Sequence, residues 1–224
     1  MPPFRVQRVL NPTEARLAEA ANLFTDLMKN NLGALSLAGG EASLMNYQAL
    51  ALLRVGSLYG EYYEATDDEG NLLGFTMWMP PGQEMFSTEE QRRLGFNYFM
   101  QMLSSEAENY FKTKYVAQFP GFVASLLGPR GKIDSWWLHM AMIRHDRQRK
   151  GVLRALVDIV RAKAEDAGEY LATCTTNDDN IRVYTGLGFA YKGSTEMESP
   201  WGKWPIHVFK MDFADKKAPS NHLE

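Results

Sequence analysis

Apolar residues recur at helical spacing in some stretches of this chain and alternate, or run without interruption, in others. Leu17, Ala20, Ala21, Phe24, Leu27 and Met28 fall three or four residues apart. That spacing predicts a helix from Asn11-Pro12-Thr13, with Asn11 as its cap, to about Asn31. Phe4 to Val9 ahead of it reads as a strand. Gly39-Gly40 breaks the chain, and a second helical pattern covers Leu44 to Leu58. Glu61 to Thr66 and Leu72 to Met79 read as a hairpin joined by the polar turn Asp67-Asp68-Glu69-Gly70-Asn71. Pro80-Pro81-Gly82 stops its second strand.

Residues 83–130 are helical in pattern. Ser87-Thr88-Glu89-Glu90 has capping-box spacing ahead of a helix to about Leu103; another starts at Ser105 and is interrupted at Pro120-Gly121. The segment is rich in aromatics, among them Phe86, Phe96, Phe111, Tyr115 and Phe119, which read as core filling or as the wall of a ligand pocket. In the last third, Ile133 to Ile143 is a long apolar strand. Val152 to Ala167 is a helix with the stripe Leu153, Leu156, Val157, Val160 and Ala164. Its outer face offers the pairs Arg154–Asp158 and Arg161–Glu165, and Gly168 ends it. Tyr170 to Thr175, then Phe189 to Glu198 and Ile206 to Phe213, read as strands, with a short helix from Asp179 to Thr185. No repeat or linker divides the chain. The pattern predicts one mixed α/β domain over 1–213, with a helical insertion at about 83–130 and a flexible polar tail at 214–224.

Composition narrows the function. The net charge is −3, from 24 Lys and Arg against 27 Asp and Glu, which argues against nucleic-acid partners. Cys174 is the only cysteine. With no leader-like segment, it points to a reducing, cytoplasmic setting. No apolar run reaches the length that spans a bilayer, so no membrane partner is expected. No His and Cys cluster suggests a metal.

Against this background, Arg144-His145-Asp146-Arg147-Gln148-Arg149-Lys150-Gly151-Val152-Leu153-Arg154 is unusual. Five basic side chains surround one glycine between a strand and a helix. A helix start offers unpaired N–H groups and a positive dipole end, which together bind phosphate. Basic residues there oppose the dipole unless an anion visits. Gly151 removes the side chain where a phosphate would meet a Cβ. The segment fits neither GxxxxGK[ST] nor GxGxxG.

Gln148-Arg149-Lys150-Gly151-Val152-Leu153 resembles the acetyl-CoA loop of the GNAT acetyltransferases, [QR]xxGx[GA]. Asn177-Asp178-Asp179-Asn180-Ile181-Arg182-Val183-Tyr184-Thr185-Gly186-Leu187-Gly188-Phe189 resembles that family's second hallmark, a polar start followed by YxxxGF. The resemblance covers about 133–213, is looser before that, and does not extend to 83–130. That segment, with Ser199-Pro200-Trp201-Gly202-Lys203-Trp204-Pro205, is similar to a fungal branch. Leu153 departs from the pattern: it either crowds the pyrophosphate or turns into the core.

The resemblance implies the GNAT fold, a central mixed and mostly antiparallel sheet flanked by helices. It implies an acetyl-CoA-dependent N-acetyltransferase that transfers directly to a primary amine, with a small-molecule amine as the expected substrate. A protein amine, or a silent acyl-CoA-binding module, is the alternative. Backbone groups of Ala141, Met142 and Ile143 would pair with the pantetheine of coenzyme A. Amides of Arg149, Lys150, Gly151, Val152, Leu153 and Arg154, behind Gln148, would cradle the pyrophosphate. Asn177 or Asn180 would touch the cofactor, unless each only caps the short helix. Tyr184 would be the acid that protonates the thiolate. Leu138-His139 matches serotonin N-acetyltransferase in its spacing to Gln148, which makes His139 the candidate base. Strand alternation would put Trp137, His139, Ala141 and Ile143 on one face, and the other reading of His139 is a hydrogen-bonded core residue. The acceptor, the acyl-chain preference and the oligomeric state are not readable from these residues.

Overall fold

The alternation at 61–66 and 72–79 closes as a hairpin of β2 (Glu61–Thr66) and β3 (Leu72–Met79). Its turn is fixed by the Asp67 carboxylate, which accepts from the N–H groups of Glu69 at 3.1 Å and Asn71 at 2.9 Å. In the computed structural model, which describes residues 4–213, this hairpin sits inside a seven-stranded sheet of order β1-β2-β3-β4-β5-β7-β6. The tail expected to be flexible lies outside the described residues. The other strands are β1 (Arg5–Arg8), β4 (Trp136–Ile143), β5 (Leu171–Thr175), β6 (Ala190–Ser199) and β7 (Gly202–Met211). Every neighbouring pair is antiparallel except β4 and β5. Their crossover is α8 (Val152–Ala167), bounded by left-handed Gly151 and Gly168.

Helices cover both faces. α1 (Glu14–Met28), α2 (Leu32–Leu37) and α3 (Met45–Tyr59) lie on one side, where Phe24, Met45, Ala49 and Leu53 pack on Phe75, Met77, Met79 and Met140. On the other side, Val152, Leu156, Val157 and Val160 of α8 and Tyr184 and Leu187 of α9 (Asn180–Leu187) pack on Tyr63, Leu73, Trp78, Leu138 and Phe209. A third cluster, around Phe119, Trp137, Trp204, Ile206 and Val208, extends the first face toward β7.

The insertion between β3 and β4 holds α4 (Glu89–Arg93), α5 (Phe96–Met102), α6 (Ser105–Tyr110) and α7 (Val116–Leu127). Several expectations are corrected here and elsewhere. The single helix to Leu103 is two, parted at Gly95 (φ +150°), a conformation only glycine adopts readily. Pro120 does not interrupt its helix. The chain runs through it from α6 to α7, with a π turn at Phe111–Tyr115 between them. Thr13, not Asn11, caps α1, because its hydroxyl accepts from Arg16 N at 3.2 Å. Asn31 caps α2 rather than ending α1. β4 starts at Trp136 rather than Ile133, since 128–135 is a run of turns. Arg154 turns from Asp158 toward Gly186 O at 2.5 Å, while Asp158 lies 3.9 Å from Arg161.

A β-bulge corrects the expected alternation in β4. Met77 pairs with Met140 but Trp78 pairs with Leu138, so His139 has no partner across the strand. The extra residue reverses the faces beyond it. Trp137 and His139 are ring neighbours at 6.4 Å on the side of the insertion. Ala141 and Ile143 instead pack on the α8 side, with Met140 and Met142 opposite.

Candidate active site

β4 and β5 pair only from Trp136–Leu171 to Leu138–Thr173, then diverge. Thr173 closes the crotch by donating from its hydroxyl to Leu138 O at 3.0 Å. Beyond it a single cleft of about 1460 Å³ draws its lining from both faces of the sheet. Arg144 N donates to Leu73 O at 3.0 Å, which sets the phase of the β3–β4 ladder. By that phase the N–H and C=O of Ala141 and Ile143 point away from β3, toward the cleft. Met142 lines the cleft with its side chain, but its backbone faces β3. The three-residue expectation therefore narrows to Ala141 and Ile143. Ile143 O already accepts from Gln148 Nε2 at 3.1 Å, which ties the loop to the strand end.

The loop has the form its residues require. Arg149 (φ +59°) and Gly151 (φ +83°) are both left-handed, so successive N–H groups turn inward ahead of α8. Among the described residues no protein acceptor meets the N–H groups of Arg149 through Arg154; the first bond of the helix is Ala155 N to Gly151 O at 3.0 Å. A Cβ added at Gly151 would meet nothing within 4 Å. Gln148, Arg149, Gly151, Val152, Leu153 and Arg154 line the cleft, whereas Lys150 is exposed and does not. Arg144 and Arg147 are bound to Asp146 at 3.0 and 3.2 Å, and Arg154 to Gly186. Among the described residues, Arg149, Lys150 and Arg154 have no carboxylate partner, Arg154 being held only by the Gly186 carbonyl. Leu153 is half-buried against the α8-side core, so it lies along the cleft wall rather than across it. These features fit a diphosphate: unpaired donors, a helix start and no obstructing side chain.

On the same face, α9 follows a turn held by Asn177, whose Oδ1 accepts from Asp179 N at 2.9 Å. Asn180 Nδ2 donates to Thr175 Oγ1 at 2.9 Å. Both asparagines line the cleft, and both also hold the start of α9. Tyr184 is buried between Phe189 and Phe209, with ring centroids 5.7 and 5.1 Å away. Burial pushes its hydroxyl up to about 12, the neighbouring Cys174 adds to this, and a hydrogen bond with Thr173 opposes it. The group therefore holds its proton at any ordinary pH, beside the crotch where the strands part.

His139 lies across the sheet from Tyr184. Its Nε2 is buried without a hydrogen-bond partner, so the core-residue reading fails on its own condition of a satisfied ring. Burial first, then the charge of Lys132, hold its pKa well below 6.5, and the ring is neutral. The surrounding wall comes from the insertion and α3: Phe86, Phe96, Phe111, Tyr115 and Phe119, with Gln48. The aromatics expected first as core filling thus line the cleft. Lys132 is ion-paired with Glu84 across this end and stands 5.5 Å over the Trp137 ring. Glu84, Lys132 and Thr173 went unread because each is placed by a contact with a residue far along the chain, which no local spacing encodes. Cys174 also lines the cleft, with burial pushing its thiol up to about 12, which makes it a poor nucleophile. His145 is exposed in the loop. His207 meets Asp178 at 2.7 Å and Tyr191 at 3.3 Å. Among the described residues no group of three or more His, Cys, Asp or Glu side chains could hold a metal, and no helix is long and apolar enough to cross a membrane.

No family model matches the chain. It is 24% identical over 139 residues to an uncharacterised N-acetyltransferase of Schizosaccharomyces pombe, over 62% of this chain and 56% of that protein. The chain thus spans about half the length of that curated relative. Among solved structures it is similar to a Corynebacterium glutamicum protein described as histone acetyltransferase HPA2 and related acetyltransferase. That match has a TM-score of 0.59 at 16% identity and covers 93% of this chain and 96% of that one. Arylalkylamine N-acetyltransferase 2 of Aedes aegypti matches with a TM-score of 0.58 at 13% identity, over 94% and 99% of the two chains. A sheet that splays between its one parallel pair, with a helix-start anion loop beside the splay, is the architecture of an acyl-CoA transferase fold. The chain shares the fold of the GNAT acetyltransferases.

Proposed function

We propose that the protein is an acetyl-CoA-dependent N-acetyltransferase whose acceptor is the primary amine of a small molecule. One observation carries the reading: a run of unpartnered N–H groups from Arg149 to Arg154 opens into the cleft at the start of α8, beside the gap between β4 and β5. In this reading the loop holds the diphosphate, and the cleft-facing backbone of Ala141 and Ile143 holds the pantetheine as an added strand would. The bound cofactor supplies the acetyl group as a thioester.

The chain's own residues then divide the proton traffic. His139 Nε2, neutral and unpartnered, takes a proton from the arriving ammonium and leaves a free amine. Tyr184 keeps its proton until a thiolate departs on its side of the sheet, then gives it from Oη. The C–N bond forms as the C–S bond breaks; the second amine proton, lost as the amide forms, restores the one that Tyr184 gave to the thiol, and the proton held by His139 passes to solvent, so the exchange balances. The enclosed aromatic wall supports a compact acceptor rather than a protein amine. A cytoplasmic setting belongs to the same reading, supported by the free thiol of Cys174. The domain is read as residues 1–213.

The test is calorimetric titration with acetyl-CoA and with coenzyme A, followed by thiol release on a panel of primary amines. Micromolar binding of both, with turnover on at least one amine, is the expected result. Absence of binding would end the proposal. Binding without turnover on any amine, unaffected by Tyr184→Phe, would make it a silent acyl-CoA module.

A further inference from the structure

The acceptor half of the cleft contains an order that core filling does not require. Phe96 lies 5.7 Å from Phe111, Phe111 lies 5.4 Å from Tyr115, and Tyr115 stacks on Phe119 at 5.3 Å. Phe119 meets Trp137 at 6.4 Å, and Trp137 meets His139 at 6.4 Å. All of these rings line the cleft. The result is a continuous run of ring contacts, tilted or edge-on except for the Tyr115–Phe119 stack, that ends on an imidazole whose Nε2 is unpartnered.

The π turn explains how the file is built. Residues four apart in an α-helix advance by slightly more than one turn, so Phe111, Tyr115 and Phe119 would drift around the helix. A wider turn at Phe111–Tyr115 takes up the drift and keeps the three rings in line.

The charges are as selective as the rings. The carboxylates lining the cleft are Glu84 and Asp179, and Asp179 belongs to the α9 end. Glu84 is already paired with Lys132. A polycationic acceptor would meet no second counter-charge here, and a sugar would find few partners for its hydroxyls. Among the buried atoms of cleft-lining residues that lack a hydrogen bond are two that can accept, His139 Nε2 and Gln48 Oε1, beside the donors Arg147 Nε and Trp204 Nε1. An ammonium carries three donors and no acceptor, so it can serve the first two.

Resting on the acetyltransferase reading, we infer that the acceptor is an amine borne on a flat, uncharged aromatic body. The body lies along the ring file from Phe96 to Trp137, and the ammonium is directed to His139. Aromatic faces stack with such a body and reward planarity over mere apolar bulk.

Four amines test this: 2-phenylethylamine, hexylamine, spermidine and glucosamine. Each is titrated with and without coenzyme A, followed by tryptophan fluorescence, and is then assayed for thiol release with acetyl-CoA. The expected kcat/KM for 2-phenylethylamine exceeds that for hexylamine by about tenfold and that for spermidine or glucosamine by about a hundredfold or more. Phe111→Leu keeps apolar volume but removes a ring. It should cut the 2-phenylethylamine to hexylamine ratio about tenfold without altering the dissociation constant of acetyl-CoA. Preference for spermidine, glucosamine or hexylamine overturns the inference. So does a Phe111→Leu effect confined to the affinity of octanoyl-CoA, which would make the ring file an acyl-chain channel. Failure to bind acetyl-CoA is read out separately and sinks the underlying reading, while the amine titrations still decide whether the file takes an aromatic amine.

Discussion

Tyr184 and His139 approach the gap between β4 and β5 from opposite faces of the sheet, and the proposed mechanism gives them opposite tasks. With its hydroxyl at about 12, Tyr184 is an acid in waiting. Tyr184→Phe fills the same buried space, so stability and acetyl-CoA affinity should hold while kcat falls by about 10²–10⁴. His139 is neutral because burial holds its pKa below the ordinary 6.5. The unfolded chain therefore binds a proton that the folded one refuses. Its contribution to stability is complete above about pH 6.5 and declines as pH falls toward the lowered folded value. Thermal scans between pH 8 and 4.5 should show this decline, and His139→Gln should flatten it. Equal slopes in the two proteins would refute the assignment. Tyr184 was legible because the polar start and YxxxGF order mark it. His139 was legible as a residue but not in its orientation, since a bulge has no composition of its own and simple alternation put it with Ala141 and Ile143.

At the scale of elements, α8 has the bounds its pattern predicts, although the expected Arg154–Asp158 pair does not form. A clean apolar stripe and a glycine at either end leave one solution for α8. Gly151→Ala adds a Cβ in a left-handed backbone, at about 1–2 kcal/mol, and directs it into the open space before the unpaired N–H groups. The expected outcome is at least roughly tenfold weaker acetyl-CoA binding by calorimetry, with a cooperative thermal transition only a few degrees lower. The insertion is the opposite case. Proline signals a break, yet α7 continues through Pro120. Pro120→Ala should raise the melting temperature, since proline inside a helix costs about 3 kcal/mol; a fall in melting temperature would show instead that the proline ring, which lines the cleft, is needed for packing.

For the whole molecule, the mixed α/β class was legible from the order of patterns, but the strand order and the single parallel pair were not, because pairing partners lie far apart in the chain. The sheet's far side is fastened by a buried carboxylate. Glu61 of β2 accepts from Lys163 of α8 at 2.6 Å, is paired with Arg8 of β1 at 2.9 Å, and also meets the Tyr63 hydroxyl. Glu61→Gln should cost about 1–3 kcal/mol, a fall of several degrees in melting temperature, and leave acetyl-CoA affinity untouched because the residue is outside the cleft. A cleft that passes between two strands has two mouths. In the proposed reading, cofactor and acceptor reach the gap from opposite faces of the sheet, and direct transfer requires both to be bound at once. A molecule made by fusing the two reactants end to end would be threaded through the sheet like a bolt through a plate. It could leave only by drawing one of its bulky ends back through the gap, so its escape should be far slower than that of either half.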